Sequence, residues 1–171
     1  RGVKERMHSL YVAPAAKKQG GKYPLIIHLH GTGGLCTDNL KPLFGDGGGV
    51  AKQYFDKRLQ AASPCAVLIP QIAEHSGWGW SNMETPPPSL LYISMAVREL
   101  LKEPGSKIDP ARIYIIGVSM GGMGVFYGLS KFPDLYAAGI SISYVEGHSL
   151  FTKDTARKNN IWIVVNRGDK G

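Results

Sequence analysis

A chain of 171 residues, 43% hydrophobic and 19% charged, is long enough for one domain with a sizeable core and too apolar to be disordered. Its formal net charge is +7, but the lysines and arginines are scattered with no basic run or aromatic-interleaved patch. The charge therefore reads as a solvated basic surface, and neither nucleic acid nor a membrane is an expected partner.

No apolar run approaches the roughly 20 residues of a membrane span. The opening "RGVKER" is not a secretory leader. Cys36 and Cys65 lack metal spacing. Two free thiols are the preferred reading, with a disulfide as the alternative.

In chain order the apolar segments read strand "HSLYVA", strand "PLIIHLH", a glycine-rich loop with a helix, then strand "AVLIPQ". A helix follows "TPPP", with Ser89 as its expected cap and Leu90, Ile93, Val97 and Leu100 at helical spacing. "EPGSKIDP" closes that helix and leads into the strand "RIYIIGV", Arg112 to Val118. After a further helix, "AAGISIS" and "IWIVVN" read as two more buried strands, separated by a polar helical stretch from Thr152 to Lys158. Near-continuous apolar strands alternating with helices predict an α/β domain, a mostly parallel sheet with helices on both faces. Residues 1–171 read as one domain, with no repeat or linker.

The fourth strand runs into "GVSMGG" and then a helix-like "MGGMGVFYGLSKF". A strand that turns into a helix through G-x-S-x-G is a nucleophile elbow, with the serine hydroxyl at the apex. Ser119 is the expected nucleophile, and Gly117 and Gly121 are expected to be small because the turn leaves no room for a Cβ. The attacked carbonyl also needs donors for its oxyanion. "LIIHLHGTGG" is a strand ending in His-Gly and a loop, which supplies one backbone N–H from Thr32 or from the neighbouring Gly33. The other is the N–H of Met120, where the helix dipole also favours negative charge. His28 and His30 alternate on one strand, but no further ligands are spaced for a metal, and no cofactor is expected.

The blocks "YPLIIHLHGTGGLCTDNLKPL", "CAVLIPQ", "IDPARIYIIGVSMGGMGVFYGLSKFPDLYAAGISIS" and "IWIVVNRGDKG" together resemble one α/β-hydrolase group. It comprises predicted peptidases, polyhydroxybutyrate depolymerases, feruloyl esterases and dienelactone-hydrolase-like esterases. The elbow is also similar to that of cutinase-like polyester-degrading enzymes. The resemblance implies hydrolysis of carboxylic esters, more than of peptides, and a secreted or periplasmic setting. It implies that His30 supports the oxyanion loop by hydrogen bonds. It also implies a tryptophan beside the substrate cleft, which points to Trp80 or Trp78, with His75 bordering the same loop. The alternative for the tryptophans is packing beneath that loop.

One departure stands out. In the family the last strand enters a His-Gly-x-x-Asp segment that holds the triad acid, and the triad histidine follows on later elements. Here Arg167 and Gly168 stand at the His-Gly pair, Gly171 stands at the acid, and no histidine follows His148. Three readings remain open. The acid and base belong to a C-terminal strand and helix absent from these residues; or Asp169 and His148 substitute for them; or the chain is a non-catalytic binding protein that kept the elbow.

Overall fold

The computed structural model describes residues 7–12, 14, 21–44, 49–74, 77–79, 87–145, 158 and 160–168. Six strands, β1 (His8–Val12), β2 (Tyr23–Leu29), β3 (Ala66–Gln71), β4 (Ile108–Val118), β5 (Ala138–Ile142) and β6 (Asn160–Val164), form one sheet in the order β1-β3-β2-β4-β5-β6. β1 runs antiparallel to β3, and every other neighbouring pair is parallel. The six expected strands are all present. β4 is longer than expected, beginning at Ile108 instead of Arg112.

Four α-helices lie wholly among the described residues: α1 (Lys41–Phe44), α2 (Lys57–Ala62), α3 (Pro88–Lys102) and α4 (Met120–Lys131). Leu90, Ile93 and Val97 on α3 are fully buried, as their spacing predicts. Ser89 does not cap that helix. Pro87 holds the cap position, and the Ser89 hydroxyl donates to the Gly77 carbonyl at 3.1 Å. Proline suits the first turn, where a missing N–H costs nothing.

The period-2 alternation of β2 divides its side chains between two cores. Leu25, Ile27 and Leu29 pack with α3 and α4 on one face, and Ile26 packs with Val67, Ile69, Leu43 and Tyr54 on the other. Among the described residues, helical cover on the second face stops at the middle of the sheet. Beyond it Ile26, Tyr114, Ile116, Ala138, Ile140 and Trp162 line an apolar hollow of about 430 Å³, among the described residues. Cys36 and Cys65 are free thiols. The expected helix from Thr152 to Lys158 lies, apart from Lys158, outside the described residues.

His28 sits inside the second face, 1% exposed, edge-on to the Tyr54 ring at 5.8 Å, and its Nδ1 has no hydrogen-bond partner. Burial first, and the neighbouring His30 second, push its pKa down from 6.5 to about 4. The folded ring thus stays neutral while the unfolded chain takes up a proton. Between those two values the unfolded state binds more protons, so stability falls with falling pH, by about 3 kcal/mol across the window. Urea unfolding should therefore show a marked loss between about pH 7 and about pH 4.5, and His28→Leu should remove most of that slope. An unchanged slope in the variant would contradict this account.

Candidate functional site

β4 passes directly into α4 through Ser119. Its backbone lies at φ 53° and ψ −118°, a region that side-chain-bearing residues rarely occupy and that costs on the order of 1–3 kcal/mol. The turn is held from both sides. The Ser119 N–H donates to the Ile142 carbonyl at the end of β5 at 2.8 Å, and the Ser119 carbonyl accepts from Met123 N–H at 3.2 Å. Its hydroxyl caps nothing, although serine is among the best N-cap residues, and the residue is exposed. The side chain is thus presented to solvent at the C-terminal edge of the sheet, where α/β folds place their ligands.

The two flanking glycines are required by space. A Cβ at Gly117 would fall on the Gly121 carbonyl, and one at Gly121 would fall on the Leu29 carbonyl and come within 2.9 Å of the His30 carbonyl. Helix α4 therefore begins flush against the end of β2, where Leu29 pairs with Gly117 across the ladder. Ser119 and the loop after β2 are neighbours for that reason.

That loop opens with a single 3-10 turn, Thr32–Gly34, in which Gly34 N–H returns to the Gly31 carbonyl at 3.1 Å. The N–H groups of Thr32 and Gly33 precede this bond and have no acceptor within the turn; both residues are exposed. Met120, the first residue of α4, likewise carries an N–H with no intrahelical acceptor.

His30, at the base of that loop, hydrogen-bonds the backbone on two sides. Its Nδ1 lies 2.7 Å from the Gly31 carbonyl and its Nε2 lies 3.2 Å from Ile72 N–H. A carbonyl can only accept and an amide N–H can only donate, so the ring is the neutral Nδ1–H tautomer with both nitrogens occupied. Neither ring nitrogen is open to a metal.

Trp78 requires a correction. It is fully buried, with its indole N–H donating to the His30 carbonyl at 2.8 Å and its ring edge-on to His30 at 5.1 Å. It braces the loop from below and has no surface to offer a substrate. Trp80, His75, His148 and Asp169 lie outside the described residues.

Sequence reasoning missed a cluster on the far side of the loop. Gln71, at the end of β3 and 2% exposed, binds Gly34, Asp38 and Asn39. The Asp38 carboxyl is held well below the usual carboxylate range, chiefly by the backbone N–H of Lys41, then by Gln71 and the N–H of Leu40. Only the turn-forming "TDN" hinted at it.

The sheet order, the strained turn and the glycine contacts define an α/β-hydrolase fold. No family model and no curated protein matches the sequence. Solved structures do. The chain is similar to a thermostable esterase at 29% identity and a TM-score of 0.74, over 94% of this chain and 51% of that one. It is similar in fold to an S-formylglutathione hydrolase from Staphylococcus aureus (14% identity, TM-score 0.64, covering 94% and 74%). It is likewise similar in fold to a ferulic acid esterase (18%, 0.55, 88% and 62%). The group it resembles thus contains esterases and serine hydrolases, and the chain spans about half the length of the thermostable esterase.

The strain at Ser119 has a measurable sign. Glycine ordinarily costs roughly 0.5–1 kcal/mol relative to alanine, but it alone tolerates this backbone freely. Ser119→Gly should be more stable than Ser119→Ala by roughly 1 kcal/mol in urea unfolding. The reverse order would mean that the turn is unstrained.

Proposed function

We propose that this chain carries the nucleophile and oxyanion site of a serine hydrolase acting on carboxylic esters. The observation that carries the reading is Ser119, held at a positive φ between strand and helix with its hydroxyl spared from capping. A fold tolerates such strain where function needs the geometry. The similarity to esterases supports the ester class.

In this reading the Ser119 Oγ attacks the ester carbonyl carbon, and its proton passes to a base. The carbonyl oxygen becomes an oxyanion, which accepts from Met120 N–H and from the N–H of Thr32, with Gly33 next to it. Collapse expels the alkoxide, which takes up the proton and leaves as the alcohol. Water then repeats the sequence on the acyl-enzyme, releasing the acid and restoring the serine.

Neither buried histidine serves as that base: His30 has both nitrogens engaged, and His28 is sealed into the core. Within the chain the remaining proposal is His148, which follows β5, with Asp169, which follows β6. The alternative is an acid and a histidine outside residues 1–171. Trp80 and His75 are proposed to border the cleft.

A fluorophosphonate probe tests the reading, because it reacts with serines activated in this way. The chain should be labelled, and Ser119→Ala should abolish the labelling while leaving the protein folded. Labelling that survives in Ser119→Ala would place the reactive residue elsewhere. A folded chain that never labels would favour a binding protein that retained the fold.

A further inference from the structure

We infer that Gln71 is a positioning residue whose buried side-chain amide sets the loop of residues 32–41, and with it the Thr32 and Gly33 N–H groups that face the oxyanion. The inference rests on the serine hydrolase reading of Ser119.

Every hydrogen bond this amide makes among the described residues goes to that one loop. Its Nε2 donates to the Gly34 carbonyl at 3.0 Å and to Asp38 Oδ1 at 3.0 Å, and its Oε1 accepts from Asn39 N–H at 2.6 Å. Gly34 is the last residue of the 3-10 turn whose first residues, Thr32 and Gly33, carry N–H groups with no acceptor within the turn. Asp38 Oδ1 also accepts from the N–H groups of Leu40 at 2.8 Å and Lys41 at 3.0 Å, so the same clamp fixes the start of α1. One residue further on, the Ile72 carbonyl accepts from Cys36 N–H in the loop at 3.1 Å, and the Ile72 N–H donates to the His30 ring Nε2 at the loop's base.

The chemistry of the side chain matters as much as its place. Only a primary amide donates twice and accepts once from a single planar group. A glutamate would turn both donated bonds into oxygen–oxygen repulsions, one of them against the Asp38 carboxylate. Strand β2 lies between β3 and β4, so Gln71 acts on Ser119's surroundings through the loop and not by touching a substrate. An oxyanion hole depends on donors fixed before the charge develops, and loss of a single donor costs on the order of 10²–10³ in kcat. A loop freed to shift its donors should forfeit part of that.

The test uses the 171-residue chain with an aryl ester, measuring kcat, KM and amide hydrogen exchange. Gln71→Met keeps the volume and removes every bond. Its kcat should fall by about tenfold or more with KM within about twofold, and exchange should quicken in residues 32–41 but not in α4. Gln71→Glu should lose at least as much. Should Gln71→Met not fold, Asp38→Ala, at an exposed position, releases the same amide and should lower kcat by roughly threefold or more. Unchanged kcat in a folded variant overturns the inference, as does a loss of kcat with unaltered exchange in the loop. If the unsubstituted chain neither hydrolyses the ester nor reacts with fluorophosphonate, the reading that residues 1–171 carry their own base fails, and the exchange comparison alone decides: unaltered exchange in residues 32–41 of Gln71→Met overturns the inference.

Discussion

The structure turns on a contact between two stretches of backbone. Where α4 begins, Gly121 rests on the carbonyls of Leu29 and His30 with no space for a side chain between them. That approach brings the first turn of α4 against the end of β2, and so sets Ser119 and the Met120 N–H beside the loop that follows β2. It also forces the chain to reverse within one residue, which is why Ser119 takes a backbone that serine avoids. The strain is affordable because α4 is buried on almost every side. Val125 and Leu129 are fully buried and Phe126 is 2% exposed, each contributing roughly 1.5–3 kcal/mol. Two such residues outweigh the distorted turn.

The loop opposite Ser119 is held by buried polar groups. His30, Trp78 and Gln71 reach it from three directions, and their contacts are hydrogen bonds whose loss would leave a donor or acceptor stranded in the core. In this construction the Thr32 and Gly33 N–H groups have no acceptor within their own turn, while Gly34, Asp38 and Asn39 behind them are bound by Gln71. A site that must bind a transient negative charge gains from that asymmetry, since donors already fixed need no reorganisation when the charge appears.

Much of this was legible in the sequence because it is local. The strand runs, the helical spacing of Leu90, Ile93 and Val97, and the glycines around Ser119 each follow from a short stretch of chain, and the fold class follows from their order. What escaped depends on partners far away in sequence. Trp78 reads as a residue of a polar loop until the His30 carbonyl, 48 residues earlier, is known to accept its N–H. Gln71 ends an apolar strand, and its partners lie 32 to 37 residues away. Ser89 looks like a cap by composition, yet Pro87 and Pro88 already define that helix start. The apolar hollow on the second face was equally hidden, because an apolar strand such as β6 reads the same whether or not a helix lies on it.

The most direct test of the central claim is to trap the covalent intermediate. The chain is mixed with an activated acetyl ester, quenched in acid within the first turnover, digested, and weighed by mass spectrometry. The account predicts one acetyl group on the peptide that contains Ser119, accumulating as the aryl alcohol is released and disappearing as acetate forms. Alcohol release in a folded chain with Ser119 never modified, or with the acetyl group on another residue, would contradict it.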